Sequence, residues 1–435
     1  MAVIPTRIWI DDPALNALPT TGPAWDQILA WANVDLGSGN APFCNGDPLN
    51  NLVSTGVFGT YADSHILAMA IAHRKTPNGR PTGTYLDQVL TGLRTVIGSE
   101  YTAPEAEFSA YCIGRNLTGF IVAADMIDLK TVDPLLHAQM IAWLRSLRVK
   151  LLHERNAAAA GTADVYRVRS FTSMTLERPN NHGISGEQTL LVIDMYLGDT
   201  AGVEASAARY RTWVGDTYEH TGFRYKPIGY PWQAAEVGSD PVYNANPNLP
   251  KHVGINRAGA TIQGHPVDGC PPEEARRTHW DGSQNLATES HVFSWPMGVS
   301  NYFWSLAAPW TGWIHLLERC GIPALSYGQN ALQRFMDFCW NYLWVVDDNT
   351  SGTAELGKEK DLRPVSPPAD PNNPPAGYMR YVPGAQTGIY HLQDDVDTIN
   401  LVNHLLGTSY PTQYIDPAYY GKPGKSMGHN YYLFG

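Results

Sequence analysis

In Glu177-Arg178-Pro179-Asn180-Asn181-His182-Gly183 two carboxamides and an imidazole stand side by side, directly ahead of a strongly helical run that ends at Tyr196-Leu197-Gly198-Asp199. Carboxamides donate and accept hydrogen bonds, and an imidazole can also move a proton near neutral pH. Burying such groups without partners is costly, because each loses water that it cannot replace. The cluster is therefore either satisfied or functional. In the first case Asn180 caps the helix while Asn181 and His182 are hydrogen-bonded core groups. In the second it faces a ligand. The residues alone leave both open.

The elements that position the cluster are read from apolar spacing. Apolar residues fall on one helical face from Tyr61 to His73 and from Tyr85 to Ile97, where Leu86, Val89, Leu90, Leu93, Val96 and Ile97 follow the helical repeat. A third helix is predicted from Tyr111 to Ile127, and Asp133-Pro134 opens a fourth that runs through Leu147. Two more are predicted over Gly186–Tyr196 and Ala201–Tyr218, parted by the stop signal Gly198-Asp199. Helical spacing returns at Asn301–Cys320, Ala331–Val346 and Val396–Leu406. Helices succeed one another in pairs, joined by short loops and without a strand pattern between them, which points to an α/α array. Residues 1–55 read as an irregular lead-in with an amphipathic piece at Ala24–Trp31, 226–300 as a long loop region of the kind that usually carries function, and 347–390 as a proline-rich loop. A single domain over residues 1–435 is expected.

Composition narrows the classes. A chain of 435 residues, 43% hydrophobic and 16% charged, can bury a large core. No run of about 18 apolar residues occurs, and Met1-Ala2-Val3-Ile4-Pro5-Thr6-Arg7 lacks the apolar core of a signal peptide. The expectation is a soluble protein with no membrane partner, secreted or periplasmic, any signal peptide lying outside this sequence. The net charge of −11 disfavours nucleic acid, whereas an anionic substrate needs only a locally basic cleft. Cys44, Cys112, Cys270, Cys320 and Cys339 are widely spaced, so neither zinc nor a disulfide is required. Thirteen Trp and 23 Tyr are many for this length, and flat aromatic faces suit sugar rings, although most belong in the core.

Taken with Asp281-Gly282-Ser283-Gln284 and Glu289, the stretch from Arg178 to Asp199 resembles the alginate-lyase superfamily of polysaccharide lyases, in its single-domain alginate and glucuronan types. The resemblance implies a mainly α fold, an incomplete (α/α) toroid of helical hairpins with long loops lining a cleft. It implies β-elimination on a β-1,4-linked uronic-acid polysaccharide, with no metal or cofactor required. In that reaction the C5 proton becomes acidic once the adjacent carboxylate is neutralised by hydrogen-bond donors. Asn181 and His182 would be those donors, and a tyrosine near the start of a later helix would act as acid and, in a syn elimination, also as base.

That tyrosine is Tyr302 in Asn301-Tyr302-Phe303-Trp304; without the resemblance it reads as a core aromatic. Substrate contacts are expected from Arg115, Arg178, Asn180, Arg277, His279, Trp280, Glu289 and His291. Relatives usually carry an arginine several residues before the tyrosine. None lies between Trp280 and Tyr302, so His291, Arg276 or Arg277 would replace it. Tyr225, Tyr230 and Tyr243 in the long loop are the reserves. The rival readings are a glycoside hydrolase on a similar toroid, using Asp281 with Glu289 or Glu236, and a carbohydrate-binding relative without turnover.

Overall fold

The computed structural model describes residues 2–33, 62–77, 79, 83–100, 109–156, 165–216, 232–234, 254–275, 293–297, 302–347, 362–381, 398–410 and 429–435. The fold is mainly helical, and local chemistry marks where its helices begin. Proline lies in the first turn of α1 (Asp12–Ala17), α2 (Pro23–Ala32) and, further on, α7, where its missing N–H costs nothing. α3 (Ala62–Lys75) is buried along most of its length, and α4 (Tyr85–Val96) is capped by the Thr84 hydroxyl. α5 (Ser109–Met126), α6 (Leu129–Val132) and α7 (Pro134–Leu147) follow, the last capped by Asp133.

Strands β1 (Leu152–Asn156) and β2 (Val165–Arg169) form an antiparallel hairpin ahead of α8 (Phe171–Glu177), which opens on a Ser170–Ser173 capping box. α9 (Asn181–Leu197) ends at left-handed Gly198, and Asp199 caps α10 (Thr200–Trp213). A short hairpin of β3 (Thr261–Ile262) and β4 (His265–Pro266) and the turn α11 (Pro272–Ala275) precede α12 (Tyr302–Arg319) and α13 (Tyr327–Tyr342). Strands β5 (Trp344–Asp347), β6 (Leu362–Val365) and β7 (Tyr378–Arg380) form an antiparallel sheet in the order β6-β5-β7. α14 (Thr398–Leu406) and α15 (Asn430–Phe434) close the chain.

Several expectations need correction. The lead-in carries α1 as well as α2, which coincides with the amphipathic piece expected at Ala24–Trp31. A hairpin parts α7 from α8 where no strand was expected; its signal is the alternation Val165-Tyr166-Arg167-Val168-Arg169. α10 stops at Trp213 rather than Tyr218, because Gly215 takes a left-handed φ of 86°. α13 ends at Tyr342, and Trp344-Val345-Val346 is strand, as its β-branched pair favours. The proline-rich 347–390 region supplies β6 and β7 as partners for that strand.

Buried apolar side chains from Ala2 to Leu433 form one cluster. Around it α2 packs on α3, α3 on α5, α5 on α9, α9 on α12, α12 on α14, α14 on α15, and α15 on α2. The N-terminal segment gives four of these helices a common direction. The Ile8 N–H and the Arg7 guanidinium bond to Asp125 at the end of α5. Arg74, at the end of α3, reaches Asp12 and the carbonyl of Met126. Arg319, at the end of α12, donates to the carbonyls of Arg7 and Ile8. Met195 and Tyr196, ending α9, line a cavity with Arg7, Ile8 and Asp125. The C-terminal ends of α3, α5, α9 and α12 thus meet one segment, and α5, α9 and α12 begin at the other end of the bundle.

Close approach holds them in step. A Cβ on Gly114 of α5 would come within 3.2 Å of the Gly186 backbone on α9, and Thr118 and Thr189 hydroxyls lie 2.9 Å apart farther along. Fully buried Glu187 of α9 takes a bidentate pair from Arg209 of α10, at 2.6 and 2.8 Å. Its Oε1 also accepts from Ser206, which in turn accepts the Trp313 indole N–H of α12.

Candidate functional site

Asn180 is the N-cap of α9. Its side-chain oxygen accepts the His182 N–H at 3.1 Å, so α9 begins at Asn181, five residues ahead of the expected Gly186. The surrounding turn is held by its own bonds. The Trp213 indole donates to the Pro179 carbonyl at 3.3 Å, the Thr175 hydroxyl to the Gly183 carbonyl at 3.1 Å, and the Ser185 hydroxyl to the Asn181 carbonyl at 2.8 Å.

Asn181 is 2% exposed, and its backbone N–H donates to Oε1 of Glu274 at 2.7 Å. Glu274 is fully buried on α11, which packs against α12. A carboxylate at the first N–H of a helix is favoured by hydrogen bond and dipole together. The head of α9 is therefore already shown to hold one carboxylate.

His182 is half-buried, and its Nδ1 lies 3.1 Å from Nη1 of Arg178. A guanidinium only donates, so Nδ1 accepts and the neutral ring carries its proton on Nε2. Arg178 thereby fixes His182 as an Nε2–H donor beside Asn181. Tyr302 is the first residue of α12, the helix packed on α9, and is half-buried there.

Arg115 lies almost two turns inside α5 and is 6% exposed. Its charge acts on Asp63, 5% exposed on α3, whose backbone approaches Gly119 so closely that a Cβ there would sit 2.9 Å from it. Burial pushes the Asp63 carboxyl up to about 7, against the opposing pull of the Ser64 N–H and Arg115. His429, left-handed and 1% exposed, donates through Nε2 to the Ser64 carbonyl at 2.9 Å, and burial pushes its imidazole down to about 4.

The structure thus brings Arg178, Asn180, Asn181 and His182 into one turn at the head of α9, places Tyr302 at the head of the adjoining α12, and sets Arg115 deeper, beside Asp63. Arg276, Arg277, His279, Trp280, Glu289 and His291 lie outside the described residues, as do Asp281, Glu236 and the loop tyrosines Tyr225, Tyr230 and Tyr243. Glu274 and Asp63 escape a sequence reading because their partners are distant in the chain. The one available signal was the acidic pair Glu273-Glu274 directly after Pro271-Pro272, within a region otherwise read as loop.

Among the described residues no group of three or more His, Cys, Asp or Glu is set to hold a metal ion, and no helix is long and apolar enough to cross a membrane. Cys270, Cys320 and Cys339 are buried free thiols. The chain matches no protein-family profile, no curated protein and no solved structure.

Proposed function

We propose that this chain is a polysaccharide lyase on an (α/α) toroid, cleaving an anionic β-1,4-linked uronic-acid polysaccharide such as polymannuronate or glucuronan. The observation that carries the reading is the Arg178–His182 hydrogen bond, which leaves the imidazole as an Nε2–H donor next to Asn181 at the head of α9. The closed circuit of helices and the common direction of α5, α9 and α12 support the toroid.

Elimination needs the uronate carboxylate relieved of its charge before C5–H is removed. His182 Nε2–H and the Asn181 carboxamide are the donors for that. The Tyr302 side-chain oxygen takes the C5 proton; the C–H electron pair becomes the C4–C5 double bond and the C4–O4 bond breaks. The same phenol then returns its proton to O4. Each proton and electron pair is accounted for without a further reagent.

The test is absorbance at about 235 nm, where an unsaturated uronate absorbs, with purified protein on polymannuronate, polyguluronate, glucuronan and hyaluronan. A rise on one polymer, abolished by His182→Ala and by Tyr302→Phe, is expected. Activity retained in Tyr302→Phe would move the acid and base to another tyrosine. Reducing ends without absorbance would overturn elimination in favour of hydrolysis, and silence in both assays would leave carbohydrate binding without turnover.

A further inference from the structure

At the end of α9 opposite Asn181, about 22 Å along the helix axis, Arg7, Asp125, Asp128, Lys130, His137 and Tyr196 line a cavity of about 220 Å3. Two of these build its wall. The Arg7 guanidinium donates to Asp12 and to the Asp125 carbonyl, and the Asp125 carboxylate accepts the Ile8 N–H at 2.9 Å. The other four present a carboxylate, an ammonium, an imidazole and a phenol. None of those four side chains is hydrogen-bonded to another described residue.

Their chemistry narrows the ligand. Arg7 and Lys130 balance Asp125 and Asp128, so neither a simple anion nor a simple cation is selected. The His137 and Tyr196 rings pack 5.8 Å apart at 53° and give the cavity an aromatic side. Burial, reinforced by Asp125 and Asp128, holds the Tyr196 hydroxyl protonated far above its ordinary range. Burial and Lys130 push His137 down, which keeps its ring neutral. Asp128 holds a left-handed backbone, with φ 52°, where α5 gives way to α6, and its carboxylate makes no capping bond there. The volume lies below the roughly 300 Å3 at which pockets for drug-sized molecules begin.

A single uncharged, polyhydroxylated ring meets all of these conditions. Its hydroxyls donate to Asp128 and accept from Lys130 and Tyr196, and its C–H face lies on the aromatic side. We infer that this cavity is a second binding site, for one neutral sugar ring, separate from the cluster at Asn181 and independent of whether that cluster performs elimination.

The experiment is saturation-transfer NMR with methyl β-glucopyranoside and cellobiose as probes, on the parent protein and on Asp128→Ala, Tyr196→Phe and His182→Ala. Transfer to at least one sugar is expected in the parent and in His182→Ala, with about tenfold weaker binding in Asp128→Ala and in Tyr196→Phe, the effect of one strong hydrogen bond lost. Asp128 is exposed, so Asp128→Ala remains decisive even if Tyr196→Phe fails to fold. The inference is overturned by absence of transfer from both sugars, by unchanged binding in Asp128→Ala, or by a loss confined to His182→Ala.

Discussion

The Asn181 N–H and the Glu274 carboxylate meet at 2.7 Å across 93 residues of chain. This bond ties α11 to the head of α9, and both partners are buried, so neither can turn to water instead. Replacing Glu274 by Ala strands the N–H and removes a charge-assisted bond, a loss of about 2 kcal/mol. Glu274→Gln keeps an acceptor and is expected to lose about half as much. Urea denaturation midpoints of the three proteins measure the difference; equal midpoints would show that the bond contributes nothing.

Arg178 is expected to set the tautomer of His182. With only donors on the guanidinium, Nδ1 must accept and Nε2 must carry the hydrogen. Nitrogen NMR of histidine-labelled protein at about pH 8 reports which ring nitrogen is protonated. An Nε2–H ring is expected in the parent and a mixture in Arg178→Met. A parent ring protonated on Nδ1 would remove the donor on which the lyase reading rests.

Where residues and local chemistry sufficed, the sequence was legible. Asp133 caps its helix, Gly198 ends α9, and Asn180 caps it at the far end, each a bond or backbone angle decided within a few residues. What was lost depended on distant partners. The β5 strand reads as a continuation of α13 until β6 and β7, contributed by a proline-rich stretch, pair with it. Asp63 lies in the first turn of α3; it packs closely on Gly119 of α5, and the charge of Arg115 on the same helix acts on its carboxyl. At the candidate site the polar run ahead of the helix made Asn180 legible as a cap, but no periodicity could point to Glu274.

Asp63 makes stability depend on pH in a direction opposite to most carboxylates. Its carboxyl ionises at about 7 in the folded protein, far above the ordinary 3.8, so the native state binds the proton more tightly. The resulting stabilisation is complete below about pH 4 and is lost as pH rises through 7. Asp125 and Asp194, pushed by burial to about 6, act in the same sense. Buried His315 and His429, pushed down to about 3 and 4, act in the opposite sense below about pH 6.5, so the parent alone cannot isolate Asp63. The difference between parent and Asp63→Asn can. Asp63→Asn is expected to gain about 1 to 2 kcal/mol relative to the parent between about pH 6 and pH 8. A constant difference across that interval would mean that Asp63 ionises normally.

Two glycines three positions apart on α9 separate the turn from the packing around it. A Cβ on Gly183 would overlap the carbonyl oxygen of Arg178, which is backbone and can move only if the Arg178–His182 turn opens. On Gly186 the added atom would meet the methyl end of Met174, a flexible side chain that can rotate away. Alanine also favours a helix interior over glycine by about 1 kcal/mol, which offsets part of the crowding at Gly186. Gly183→Ala is therefore expected to cost about 3 kcal/mol and to disturb the His182 tautomer seen by nitrogen NMR, whereas Gly186→Ala costs at most about 1 kcal/mol and leaves the tautomer intact. Equal costs, with the tautomer unchanged in both, would mean that the turn carrying Asn180, Asn181 and His182 yields without consequence, and its geometry could not then position donors for a reaction.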